Sequence, residues 1–189
     1  TQGPHLTISI TALGWIEAGQ AITRSGAQAG DYICVSGQVG DAAYGLQHPG
    51  HPLQKRLDYP TPRCELGQQL KGMASAMIDI SDGLAQDLGH ILQASHVGAQ
   101  IELECLPLDP VLQQLSLNEK FQYALAGGDD YELCFTAPPD AQSAVREAAA
   151  QAGVPVTCIG RIEAERGVRV MAPGGQQLPL RFAGFEHFA

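Results

Sequence analysis

The sequence is poor in charged residues, and positive charge is the scarcer kind. Lys and Arg together contribute 11 of the 189 residues and Asp and Glu contribute 20, which gives a formal net charge of −9 at pH 7. Since the few positive side chains are nowhere clustered, the chain lacks the basic patch that a nucleic-acid backbone requires. An anionic ligand would therefore have to be bound through a metal ion or through individual arginines.

The sequence also lacks the patterns of membrane spans, disulfide frameworks and zinc sites. It has no run of 18 apolar residues, its five cysteines include no Cys-x-x-Cys pair, and its six histidines are scattered. An odd number of widely spaced cysteines is typical of reduced thiols in the cytosol. No signal peptide is apparent. We therefore expect a cytoplasmic protein with no membrane or nucleic-acid partner.

Hydrophobic residues make up 44% of the chain, which is enough for a substantial core. Segments with the alternation of strands, such as 32–36 and 133–136, are interleaved with segments of helical periodicity, such as 140–153. This order favours an α/β (α+β) layered domain. The alternating run Leu6–Leu13 predicts a strand with nothing before it to pair with, as in a chain cut from a longer protein.

The stretch Ser75–Leu84 predicts a buried strand that runs directly into a helix. Asp79, Ser81 and Asp82 lie at the junction, next to the unpaired amides of a helix N-terminus. Two carboxylates three residues apart suit Mg²⁺, and the amides would favour a polyphosphate. In the alternative interpretation Ser81 is the N-cap and Asp82 a first-turn acid that the helix dipole favours, so that no ligand is needed.

A second acidic segment, Gly127–Glu132, carries three acids in four positions, which repel one another unless a cation or hydrogen-bond donors lie nearby. A solvated acidic turn is the alternative. Arg24 suits bidentate contact with phosphate, although a solvated or carboxylate-paired arginine fits as well. Four prolines between Gln47 and Arg63 predict a surface excursion without recognisable chemistry.

Five segments are more specific together than any one of them alone: Thr23–Gly26, Gly40–Ala43, Ile78–His90, Gly127–Leu133 and Gly184–Phe188. In order and spacing they resemble the thiamine-monophosphate kinase family, which belongs to the superfamily of aminoimidazole ribonucleotide synthetase and selenophosphate synthetase. The resemblance implies that residues 1–20 are the last strand and linker of an N-terminal nucleotide-binding and dimerisation domain. Residues 21–189 are then the C-terminal α/β domain of that fold.

The resemblance also implies residue roles: Mg²⁺ ligands at Asp79 and Asp82, ATP contacts at Arg24 and Ser81, and contacts to the thiamine moiety at Asp129 and Phe185. It implies no catalytic side chain, because the acceptor phosphate is already ionised and needs no general base. The family usually has Glu at the position of Asp129. The shorter side chain withdraws the charge by one methylene, so a bridging water is an alternative to direct contact.

The implied reaction transfers the γ-phosphoryl group of ATP to thiamine monophosphate, with Mg²⁺ as cofactor, and yields thiamine diphosphate and ADP. The resemblance further implies a full-length homodimer formed through the N-terminal domain and a chain that is inactive alone. Two other functions stay open. The superfamily also uses other acceptors, such as selenide, a formylglycinamidine nucleotide or a hydrogenase-maturation partner. Alternatively, the chain is a non-catalytic binding or assembly module.

Overall fold

The structure is a computed structural model that describes residues 8–178. Its strands are β1 (Tyr32–Ser36), β2 (Ala76–Asp79), β3 (Gly98–Glu102), β4 (Leu133–Ala137), β5 (Val156–Glu163), β6 (Gly167–Met171) and β7 (Gln177–Leu178). Its helices are α1 (Asp41–Gln47), α2 (Gln54–Asp58), α3 (Cys64–Gln69), α4 (Leu84–Ser95), α5 (Pro110–Gln113), α6 (Leu117–Ala124) and α7 (Gln142–Gln151). The predicted strands at 32–36 and 133–136 and the predicted helix at 140–153 are thus confirmed.

The strands form one sheet in the order β2-β4-β1-β5-β3-β6-β7. Neighbouring strands are antiparallel, except that β3 and β6 run parallel. The predicted α/β (α+β) layered domain is confirmed. Within residues 8–178, no helix combines the length and the apolar character needed to cross a membrane.

Side chains of the sheet point alternately into two apolar clusters, as the period of two in a β-strand requires. Ile33 and Val35 of β1 pack in the larger cluster, which contains the apolar face of α4 with Leu88 and Ile91. Cys34, which lies between them in β1, faces the smaller cluster with α3 and α7. The sheet is therefore covered by helices on both faces.

The predicted strand at Leu6–Leu13 is wrong for the described part of that run. Residues 8–31 contain no helix or strand, and Ile10, Leu13 and Trp15 are 89%, 94% and 104% exposed. A strand is stable only when a neighbour takes up its backbone hydrogen bonds, and none of the described strands pairs with this run. The domain boundary at residue 20 stays a prediction.

We expect Leu88→Ala to lower the free energy of unfolding by about 2–5 kcal/mol, because the side chain is fully buried between α4 and the sheet and its removal leaves a cavity. Leu46→Ala is the matched control, since Leu46 is 62% exposed. Its effect should stay within about 0.5 kcal/mol. Urea denaturation measures both, and equal losses would contradict the core assignment.

Candidate functional site

The register of the sheet brings the two acidic segments to one edge. Asp79 at the end of β2 is paired with Leu133 at the start of β4. Ser36 at the end of β1 is paired with Val156 at the start of β5. The chain that leaves β2 therefore lies beside the chain that enters β4. We call residues 79–83 the acid corner and residues 127–132 the acidic segment.

Backbone hydrogen bonds join the acid corner to the acidic segment. The N–H of Asp129 donates to the carbonyl of Ser81 at 2.9 Å, and the N–H of Tyr131 donates to the carbonyl of Ile80 at 2.8 Å. Gly128 is needed at this junction, because a Cβ there would overlap the Ser81 carbonyl. The structure thus brings Asp79, Ser81, Asp82 and Asp129 together.

The helix after the acid corner begins two residues later than predicted. It starts at Leu84 with Gly83 at the N-cap, so Ser81 is not the cap and Asp82 is not in the first turn. Gly83 has φ 117°, a conformation that other residues rarely adopt. The sequence predicts unpaired amides at this junction, but the N–H groups of Ser81 and Asp82 both donate hydrogen bonds.

The acceptor for both amides is Asp87, which the sequence interpretation missed. Its Oδ2 accepts from the N–H of Ser81 at 2.9 Å and from the N–H of Asp82 at 3.0 Å. Burial is the largest cause that raises the pKa of Asp87, and the charges of Asp82 and Asp79 add to it, whereas the two amides lower it. An acid near the start of a predicted helix, in line with its apolar face, was the available signal.

Tyr131 lies in the same electrostatic environment. Its hydroxyl donates to Oδ1 of Asp129 at 3.3 Å, and its pKa is raised by burial first and then by Asp129, Asp79 and Asp82. Asp129 and Tyr131 have positive φ angles of 67° and 51°.

Across residues 8–178 no group of three or more Asp, Glu, His or Cys residues is arranged to hold a metal ion. Two carboxylates at an open edge fit an ion that keeps water and substrate oxygens as its other ligands.

The other two acids of the acidic segment point inwards and are satisfied by donors, so a solvated acidic turn is wrong for them. Glu132 is fully buried. Its carboxylate accepts from Arg56 at 2.5 Å, from Arg63 at 2.6 and 2.7 Å, and from the Ser36 hydroxyl at 2.5 Å. Both arginines come from the excursion at 47–63, which therefore does contribute polar contacts. The sequence signal for these contacts was the position of Glu132 directly before an apolar strand, because a buried acid there needs hydrogen-bond donors.

Asp130 is buried against the loop before α1. Its Oδ2 accepts from the N–H of Gly40 at 2.7 Å and its Oδ1 from the N–H of Ala42 at 3.3 Å. Burial raises its pKa to about 7. Burial likewise raises the pKa of the neighbouring Asp41 to about 6, and Oδ1 of Asp41 has no hydrogen-bond partner. This part of the molecule therefore binds protons more tightly when folded.

Of the remaining two predicted site residues, Arg24 lies within the described part of the chain and Phe185 does not. The carbonyl of Arg24 accepts from the hydroxyl of Ser95, the last residue of α4, whereas the acid corner precedes the first. The carbonyl of Thr23, the residue before Arg24, accepts from the N–H of Met77 at 2.9 Å, so Arg24 lies beside β2, the strand that ends at Asp79. Phe185, with the segment Gly184–Phe188, lies outside the described residues. The contacts predicted for both stay predictions.

We expect the stability of the wild-type chain to fall relative to that of Asp130→Asn as pH rises from about 4 to about 7. The folded-state pKa of Asp130 is about 7, above that of an unfolded Asp, so its stabilising protonated form is lost over this interval. Asn has no such titration. Urea denaturation at several pH values measures the difference, and parallel pH profiles for the two proteins would contradict the assignment.

The sequence is similar to curated thiamine-monophosphate kinases. It is 41% identical over 201 residues to the enzyme of Salmonella typhimurium and 42% identical over 198 residues to that of Haemophilus influenzae. These matches cover 100% and 97% of this chain but 62% and 60% of the relatives. The chain thus spans less than two thirds of their length. The resemblance inferred from the motifs is confirmed.

Solved structures agree with the sequence matches. Thiamine-monophosphate kinase from Stenotrophomonas maltophilia superposes with a TM-score of 0.76 at 42% identity, over 82% of this chain and 54% of that one. AaThiL complexed with AMPPCP and TMP superposes with a TM-score of 0.70 at 33% identity, over 88% and 54%. Residues 28–173 match the family described as AIR synthase related protein, C-terminal domain. Because this match covers most of the chain, the protein belongs to the family of AIR synthase-related proteins through their C-terminal domain.

Proposed function

We propose that the protein takes part in the ATP- and Mg²⁺-dependent phosphorylation of thiamine monophosphate to thiamine diphosphate. The observation that carries the proposal is the junction of the acid corner with the acidic segment at one edge of the sheet. The chain that forms this junction is 41% identical to a thiamine-monophosphate kinase. Since the chain spans 62% of that relative, we further propose that the transfer needs the additional residues and that the isolated chain is inactive.

In this proposal Asp79 and Asp82 hold the metal ion. Asp79 is exposed and Asp82 is half-buried, so both lie where phosphate oxygens can complete the coordination. When bound, Mg²⁺ supplies positive charge that neutralises the transferring phosphoryl group. Ser81, between the two ligands, is the proposed contact to ATP. Its backbone amide is occupied by Asp87, which leaves the hydroxyl as the group for this contact.

The acceptor side of the site is proposed to be the acidic segment. The Asp129 carboxylate lies beside the exposed ring of Tyr131 and presents negative charge to a ligand that carries a thiazolium cation. The acceptor phosphate is ionised at neutral pH, so positioning and charge neutralisation suffice and no side chain needs to remove a proton. Arg24 and Phe185 are proposed to contact ATP and the thiamine rings, respectively.

Asp82→Asn tests the proposal in the protein that carries the upstream residues of its relatives. We expect kcat for thiamine diphosphate formation to fall at least 100-fold while the thermal midpoint changes little, because the variant loses a metal-binding charge at a half-buried position. Asp140→Asn is the matched control, since Asp140 is an exposed acid beyond the other end of β4. Coupled ADP release and product chromatography measure the rates.

A properly folded wild-type protein that forms no thiamine diphosphate from Mg²⁺, ATP and thiamine monophosphate would refute the proposal. Activity with another acceptor of the superfamily would then identify a different synthetase. Full activity of Asp82→Asn would instead refute the metal assignment. The 189-residue chain assayed alone tests whether the additional residues are required.

A further inference from the structure

Asp87 is a buried acid that the proposed chemistry does not use directly. It lies in the first turn of α4 and is 2% exposed. A carboxylate in such a position is unfavourable unless donors compensate for its lost hydration. Its donors are the consecutive N–H groups of Ser81 and Asp82. The carboxylate therefore acts on the backbone of the acid corner.

Capping of α4 does not account for Asp87. Gly83 is the N-cap and makes no side-chain cap hydrogen bond. The N–H of Ala85, in the first turn, donates to the carbonyl of Leu125 at 2.9 Å. Both amides from which Asp87 accepts lie before the helix begins, and they belong to Ser81 and to the proposed metal ligand Asp82. The hydrogen bonds of Asp87 instead stabilise the irregular connection between β2 and α4.

Asp87 links that irregular connection to α4, a helix that is packed in the larger apolar cluster. Leu84, Leu88 and Ile91 fix α4 in the main core, and all three are fully buried. On the other side of the corner, the carbonyl of Ser81 accepts from the N–H of Asp129. The two peptide groups that flank Ser81 are thus held twice: Asp87 accepts from their N–H groups, and the acidic segment donates to their carbonyl groups.

We propose that Asp87 is a positioning residue that holds the Ser81–Asp82 backbone so that the carboxylates of Asp79 and Asp82 are placed to bind Mg²⁺. The proposal rests on the proposed function, since it assumes that these two residues bind the metal. Without the Asp87 carboxylate, two amides at the corner lose their acceptor and turn towards water, and the side chain of Asp82 turns with them. Metal affinity then falls while the binding of the acceptor substrate is retained.

The test compares Asp87→Ala, which removes the acceptor, with Asp87→Asn, which keeps an acceptor oxygen without the charge. Asp31→Ala is the matched control. Asp31 is 5% exposed, and its Oδ2 accepts from the N–H of Gln28 at 3.0 Å and from the Ser75 hydroxyl at 2.6 Å, at the opposite edge of the sheet. All variants are made in the protein that carries the upstream residues of its relatives.

The first measurement is Mn²⁺ binding followed by electron paramagnetic resonance in the presence of AMPPCP, which needs no turnover. We expect Asp87→Ala to weaken Mn²⁺ binding at least 10-fold, Asp87→Asn less than threefold and Asp31→Ala less than twofold. In the kinase assay the half-saturating Mg²⁺ concentration should rise in the same order, and KM for thiamine monophosphate should stay within twofold. Thermal midpoints separate these effects from a general loss of stability.

Unchanged Mn²⁺ affinity in folded Asp87→Ala, or an equal loss in Asp31→Ala, would overturn the positioning role. If Asp82→Asn leaves Mn²⁺ affinity unchanged, the corner holds no metal and the inference about Asp87 falls with it. If the wild-type protein binds Mn²⁺ through Asp82 but phosphorylates no thiamine monophosphate, only the proposed function is refuted, and the comparison of Asp87 variants still stands.

Discussion

The buried carboxylate of Glu132 is the constraint on which the site edge depends. A fully buried charge is tolerated only when it is paired and hydrogen-bonded, and here two guanidinium groups and one hydroxyl supply the donors. These donors come from α2, from the residue before α3 and from the end of β1. The network therefore ties three separate parts of the chain to the start of β4. Asp129 lies three residues earlier in the same segment, where its N–H donates to the Ser81 carbonyl.

Local sequence patterns accounted for most of the fold and for the acid corner. The strand before Asp79 and the apolar face of α4 follow from periodicity alone, because both patterns are contained in a few consecutive residues. The start of α4 was misplaced because Ser81 and Asp82 satisfy the usual preferences for capping. Their amides instead bind a carboxylate from inside the helix, an arrangement that capping preferences do not describe. The expected strand at the beginning of the chain needed a partner that the described residues do not supply.

The contacts that the sequence did not reveal are those between distant segments. Arg56 and Arg63 lie 76 and 69 residues before their partner Glu132. The prolines around the two arginines predict irregular structure, but they do not indicate which residues the arginine side chains contact. The acidic segment illustrates the same difficulty. Asp130 and Glu132 are buried while Tyr131 between them is exposed, but Asp129 and Tyr131 have left-handed backbones, so this alternation does not continue the period of β4 and could not be predicted from it.

The left-handed backbone at Asp129 gives a local reason for Asp at a position where the family resemblance leads us to expect Glu. Among residues other than glycine, Asp and Asn enter this region most readily, because their short polar side chains can bond to nearby backbone groups. Glu at φ 67° would place its carboxylate one methylene further from the backbone, but this backbone conformation is less favourable for Glu than for Asp. A longer side chain at this position would bring the carboxylate closer to a ligand, whereas Asp is better tolerated by the left-handed backbone. This sequence has the residue that the backbone conformation favours.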